Sequence, residues 1–118
     1  MSGRITYRDT KPFCVPASLD ELTGPSMGLV HLPVRLSWAP GDGSFNLEDD
    51  GERTTVYQCV IGEGNAQDQR SYLNRDTLTD MWPTLRLDLA ITAAWENRFN
   101  VLRGRNKWLA LYNRRNAS

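Results

Sequence analysis

Five of the six prolines in this 118-residue chain, Pro12, Pro16, Pro25, Pro33 and Pro40, fall in its first 40 positions. Each lacks an amide donor and biases its predecessor away from the helical region, so neither a long helix nor a central strand fits there. Residues 1–50 are therefore expected to be irregular or extended, and the rest, interrupted only by Pro83, to be helical. Ser18 and Glu21 are spaced as a capping box and allow one helical turn, which Gly24-Pro25 stops. Between Gly28 and Trp38 the residues Val30, Leu32, Val34, Leu36 and Trp38 share one alternating face. That pattern predicts a strand or an extended arm laid along a helical body, with Pro33 restricting any strand to an edge. Residues 40–44, Pro-Gly-Asp-Gly-Ser, read as a turn.

Beyond residue 50 the spacing of apolar residues becomes helical. Asp50 can cap a helix through Glu63 that carries Val56, Tyr57, Val60 and Ile61 on one stripe and ends at Gly62 and Gly64. Asn65 can cap a second over Ala66–Leu73, and Asp76 opens a third in which Leu78, Met81 and Trp82 share a face. Pro83 is expected to break that helix by forcing Trp82 out of the α region. Leu85, Leu87 and Leu89 then alternate as a short extended crossing. Asp88 caps a helix to about Leu102, with Ile91, Ala94, Trp95, Phe99 and Leu102 inward and Glu96, Asn97 and Arg98 opposite. The fold class expected is mainly α. It is a small helical bundle with an irregular or extended proline-rich N-terminal arm, in one domain divided as arm (1–50), helical core (51–102) and tail (103–118).

Charge sharpens the division. The chain is neutral overall, yet residues 1–100 hold nine basic and fourteen acidic side chains, whereas residues 101–118 hold five basic and none acidic. An acidic body with a basic tail points to a separate contact for the tail. In that tail Trp108, Leu111 and Tyr112 fall at helical spacing among Arg103, Arg105, Lys107, Arg114 and Arg115. A helix this short is marginal in water and must dock, on its own body or on a partner.

The residues themselves offer little chemistry. The only histidine, His31, lies in a proline-broken apolar segment, so no Ser-His-Asp or Cys-His arrangement is supported. Glu48-Asp49-Asp50 lacks the alternating spacing of a calcium loop, and Gly62-Glu-Gly64 is too short for a phosphate loop. Cys14 and Cys59 are in no metal-binding spacing and are expected to be reduced. The apolar runs are too short to span a bilayer, and the first eleven residues contain no apolar leader segment, so a cytoplasmic location is expected. No catalytic residue, metal ligand or cofactor is assigned, and the chain is not expected to be an enzyme.

The order of segments resembles a known family. Tyr7 to Pro25, Gly28 to Pro33, Leu36-Ser-Trp38, the Tyr57 helix, Tyr72-Leu73, Leu78 to Leu85 with Trp82-Pro83, and Ala94 to Phe99 follow one another. This is similar to small actinobacterial proteins, often labelled hypothetical or transcriptional regulators, encoded beside AbiEii-type nucleotidyltransferase toxins. The likeness covers about residues 7–102, leaves out the tail from Arg103, and supplies no catalytic residues. It implies an antitoxin-like role: binding and restraining a nucleotidyltransferase-type toxin.

The residues fit that role physically. An acidic body can cover a basic substrate cleft, and Tyr7, Phe13, Leu29, Leu32, Leu36 and Trp38 are the arm's candidate partner-binding anchors. A DNA-binding regulator is the alternative, with Arg103, Arg105, Lys107, Trp108, Arg114 and Arg115 contacting operator phosphates or bases. A structural or phage-derived domain with neither partner is the third.

Overall fold

The burial of Val56, Tyr57, Cys59, Val60 and Ile61 places the helix Asp50–Glu63 (α1) at the centre of the core. In the computed structural model, which describes residues 13–37 and 42–116, four further helices follow it. They are Ala66–Tyr72 (α2), Arg75–Met81 (α3), Leu89–Arg98 (α4) and Lys107–Arg115 (α5), so the fold is mainly α. A single two-stranded antiparallel sheet joins Leu29–His31 (β1) to Ser44–Asn46 (β2), with Val30 opposite Phe45. Among the described residues no helix is long and apolar enough to cross a membrane.

Side-chain caps set the helix starts. Asp49, one residue earlier than expected, caps α1 by accepting the Glu52 amide, and Asp50 becomes the first helical residue. Asn65 and Asp68 form a reciprocal capping box on α2. Asn74 rather than Asp76 governs α3, because its side chain accepts from the Thr77 amide while its own amide donates to the buried Tyr57 hydroxyl. Asp88 caps α4 as expected.

Two expectations about helix ends are corrected. Trp82 keeps α-helical dihedrals (φ −52°, ψ −43°) before Pro83, and the chain leaves the helix through a 3-10 turn over Trp82–Thr84. Burial of the whole indole against Trp95, with ring centroids 6.0 Å apart, outweighs the pre-proline bias. Second, α4 stops at Arg98 instead of continuing to Leu102. Residues 100–105 turn back over its end, with Gly104 at φ 78°, a dihedral that a side chain rarely adopts. Leu102 still reaches the core from that turn.

The described part of the proline-rich half lies along the helical body. A 3-10 turn at Leu19–Glu21 is capped by Ser18, and Leu19 and Leu22 enter the core. The Gly24 amide donates to the Leu73 carbonyl at 2.8 Å, and the Arg75 amide to the Leu22 carbonyl at 3.0 Å. A Cβ at Gly24 would fall 2.7 Å from the Ser71 carbonyl oxygen, so this close approach requires glycine. Further on, Gln69 donates to the Cys14 carbonyl, and Arg98 to that of Pro16.

The alternation expected from Gly28 to Trp38 survives only to Leu32. After it the amides of Leu36 and Ser37 both donate to the Pro33 carbonyl, which winds the chain into a turn. The inward spacing thereby changes from two residues to four. Leu32 and Leu36 are both 1% exposed, whereas Val34 is 92% exposed.

Candidate partner-binding surfaces

The six anchors expected in the arm are not brought together. Leu32 and Leu36 are corrected: they are part of the chain's own hydrophobic core and are not offered to a partner. Phe13 is half-buried and Leu29 is exposed. Tyr7 and Trp38 lie outside the described residues. Exposed apolar side chains do occur in this segment, but two of the three were not singled out: Met27 (66%) and Val34 (92%) join Leu29 (78%). Leu29 projects from the outer face of β1 beside His31, while Val30 between them packs inward. The alternation that hid Leu32 identified the wrong face at Val34, because a turn replaces the strand there.

A bidentate pair fixes this segment. The Arg35 guanidinium donates twice to Asp68, each bond 2.7 Å, and Asp68 is at the same time the capping-box residue of α2. The Arg35 guanidinium, above all, and the Asn65 amide hold the Asp68 carboxyl below the usual range against the opposing effect of burial. Tyr72 adds a bond from its hydroxyl to the His31 carbonyl. Met27, Leu29 and Val34 thus project from backbone held at several points.

The tail docks on its own body, which resolves the alternative the sequence left open. Leu109 is buried, and the Trp108 indole nitrogen donates to the Thr84 carbonyl at 3.1 Å. Two cations lie over the Trp108 ring, Arg86 at 4.4 Å and Lys107 at 4.9 Å from its centroid. Arg103 donates to the Glu96 and Asn97 carbonyls, and Arg105 to that of Val101. Lys107, Arg114 and Arg115 have no carboxylate partner among the described residues. Leu111 and Tyr112 remain exposed, so the expected stripe of Trp108, Leu111 and Tyr112 is not the docking face.

What anchors α5 is a buried polar hub that sequence periodicity missed. Glu96, expected on the solvent side, is 6% exposed. Its carboxylate accepts from the Trp82 indole nitrogen (3.0 Å) and from the amides of Gly104 (2.8 Å) and Asn106 (2.9 Å). Asn106 in turn donates to the Trp82 and Leu85 carbonyls and caps α5 by accepting from the Trp108 and Leu109 amides. The hub ties three helices together and is internally occupied, which makes it scaffold rather than reaction centre.

A third surface, unnoticed in the sequence, lies between the Leu19–Glu21 turn and α3. Two adjoining hollows of about 390 and 450 Å³ share Asp20, Arg75 and Asp76, and the second continues to Asp80 and Val101. Arg75 bonds to Asp20 at 2.6 Å and to Asp76 at 3.2 Å, and both carboxylates raise its pKa. Three carboxylates to one guanidinium leave this groove acidic. Among the described residues no group of three His, Cys, Asp or Glu side chains is placed to hold a metal ion. No family model matches the chain, and neither does any curated protein or solved structure.

Proposed function

We propose that the chain is a non-catalytic partner-binding protein that acts as an antitoxin-like cover for a nucleotidyltransferase-type toxin. The observation that carries the reading is the exposed trio Met27, Leu29 and Val34, presented by a segment whose neighbouring residues Leu32 and Leu36 are locked in the core. Large apolar side chains on a restrained backbone lose little entropy on docking, which is what a binding surface requires. The acidic body supports a basic partner, since complementary charge speeds encounter with a cleft built for nucleotides or RNA. Choice of a nucleotidyltransferase as that partner rests on the resemblance over residues 7–102.

Co-expression with such a toxin tests this reading. The double variant Leu29→Asp, Val34→Asp should fold, because both side chains face outward, yet lose co-purification and growth rescue. Undiminished rescue by this variant would reject the proposed surface. Operator binding through the tail finds less support. Arg103 and Arg105 are bonded to backbone carbonyls and Arg86 and Lys107 lie over the Trp108 ring, so of the expected contacts Arg114 and Arg115 are the ones left uncommitted.

A further inference from the structure

Helix α5 carries two faces of different fate. Leu109 points into the body, and at 100° per residue the opposite side holds Lys107, Leu111, Arg114 and Arg115, while Tyr112 lies 60° from Leu109. Leu111 and Tyr112 are 41% and 50% exposed, and the cations around them have no carboxylate partner among the described residues. The helix cannot fold these groups inward, because Asn106 and Leu109 already fix which side meets the body.

The groove beside α3 is the opposite in charge and the same in plan. Its lining includes Val101, 53% exposed, with Asp20, Asp76 and Asp80 and one lining cation, Arg75, already shared between two of them, while Arg105 bonds to the Val101 carbonyl. An exposed apolar side chain beside several carboxylates is a seat for an apolar side chain beside several cations. This chain presents one of each. We infer that the outward face of α5 from one molecule docks in the acidic groove of a second copy, giving a head-to-tail self-association. Leu111 covers Val101, while Arg114 and Arg115 meet Asp76 and Asp80. The interface joins two different surfaces, so a dimer keeps one unused donor face and one unused acceptor face, and chains longer than dimers form as concentration rises. Because exposed charges carry much of the contact, salt weakens it.

Sedimentation velocity on the full chain reads this directly. Wild-type protein should associate in a concentration-dependent way at low salt, with the association constant falling at least tenfold in half-molar salt. Arg114→Glu with Arg115→Glu removes the donor face, and Asp76→Lys with Asp80→Lys reverses the acceptor. Each double variant alone should remain monomeric. Mixed at equal concentration, the two should co-assemble in alternating order and extend as wild type does, since the original charge pairing forms at one junction and the exchanged pairing at the next. That regained binding also shows that both variants are folded. A molecule carrying all four changes should associate with itself again. Wild-type protein that stays monomeric at low salt overturns the inference, as does a mixture that fails to pair. Tail-dependent binding of duplex DNA or RNA by a chain that never self-associates would assign the α5 face to nucleic acid instead.

Discussion

Trp82 and Trp95 stack in the same core at 28° to one another, yet their indole nitrogens differ: that of Trp82 donates to Glu96, whereas that of Trp95 is buried with no hydrogen-bond partner. A buried polar group left unpaired costs about 1–3 kcal/mol, so the two residues should respond differently to the same change. Trp95→Phe removes an unmet donor and keeps an aromatic ring against Phe99, and its cost should be the smaller of the pair. Trp82→Phe deprives the Glu96 carboxylate of one of its three donors and should cost more, by about 1–2 kcal/mol in urea unfolding. Equal losses would contradict the assigned role of Glu96. Asp68 gives a second prediction at this scale. Its carboxyl is held below the ordinary Asp value of 3.8, so it binds a proton less readily folded than unfolded. The stability it contributes is present above that ordinary value and is lost as pH falls through the lowered one. Asp68→Asn should flatten the acid limb of stability below about pH 4, measured by unfolding at fixed denaturant across pH.

Among the elements, α5 depends on its start more than on its length. Nine residues make a poor isolated helix, and Asn106 both caps it and bonds to the Trp82–Leu85 segment. Asn106→Ala removes a cap and strands the buried Leu85 carbonyl, while that of Trp82 keeps the Leu85 amide, a loss on the order of 2 kcal/mol. Hydrogen exchange should then accelerate first at Ala110 to Tyr112, while the amides of Val56 to Ile61 stay protected. Uniform acceleration would indicate that α5 is not a separable element. Much at this scale was legible in the sequence: Asn65 and Asp88 are caps, the Val56 to Ile61 stripe is core, and the helices follow their apolar spacing. Glu96 was not, because its donors come from positions 82, 104 and 106, and local periodicity records only a carboxylate on the side away from the apolar stripe. Leu32, Val34 and Leu36 were misread for a related reason. Alternation assumes a strand, and the two amides converging on the Pro33 carbonyl convert the segment to a turn, after which Val34 faces out. The paired contacts that fix the arm, Arg35 to Asp68 and Gly24 to Leu73, join positions more than thirty residues apart and have no local signature.

Across the whole molecule, opposite charges collect on different surfaces of a neutral chain. The described proline-rich half is bonded along the helices rather than standing away from them, and what it presents outward is a few apolar side chains on held backbone. Binding by such a surface depends on side chains that contribute nothing to the core, so affinity and stability should separate on mutation. That separation is measured most directly by titrating the purified chain into a nucleotidyltransferase-type toxin by calorimetry, comparing wild type with Leu29→Asp, Val34→Asp. The account predicts that the variant melts within about 1 kcal/mol of wild type while its affinity drops at least a hundredfold. Equal affinity for the two proteins, or no binding by wild type, would contradict it.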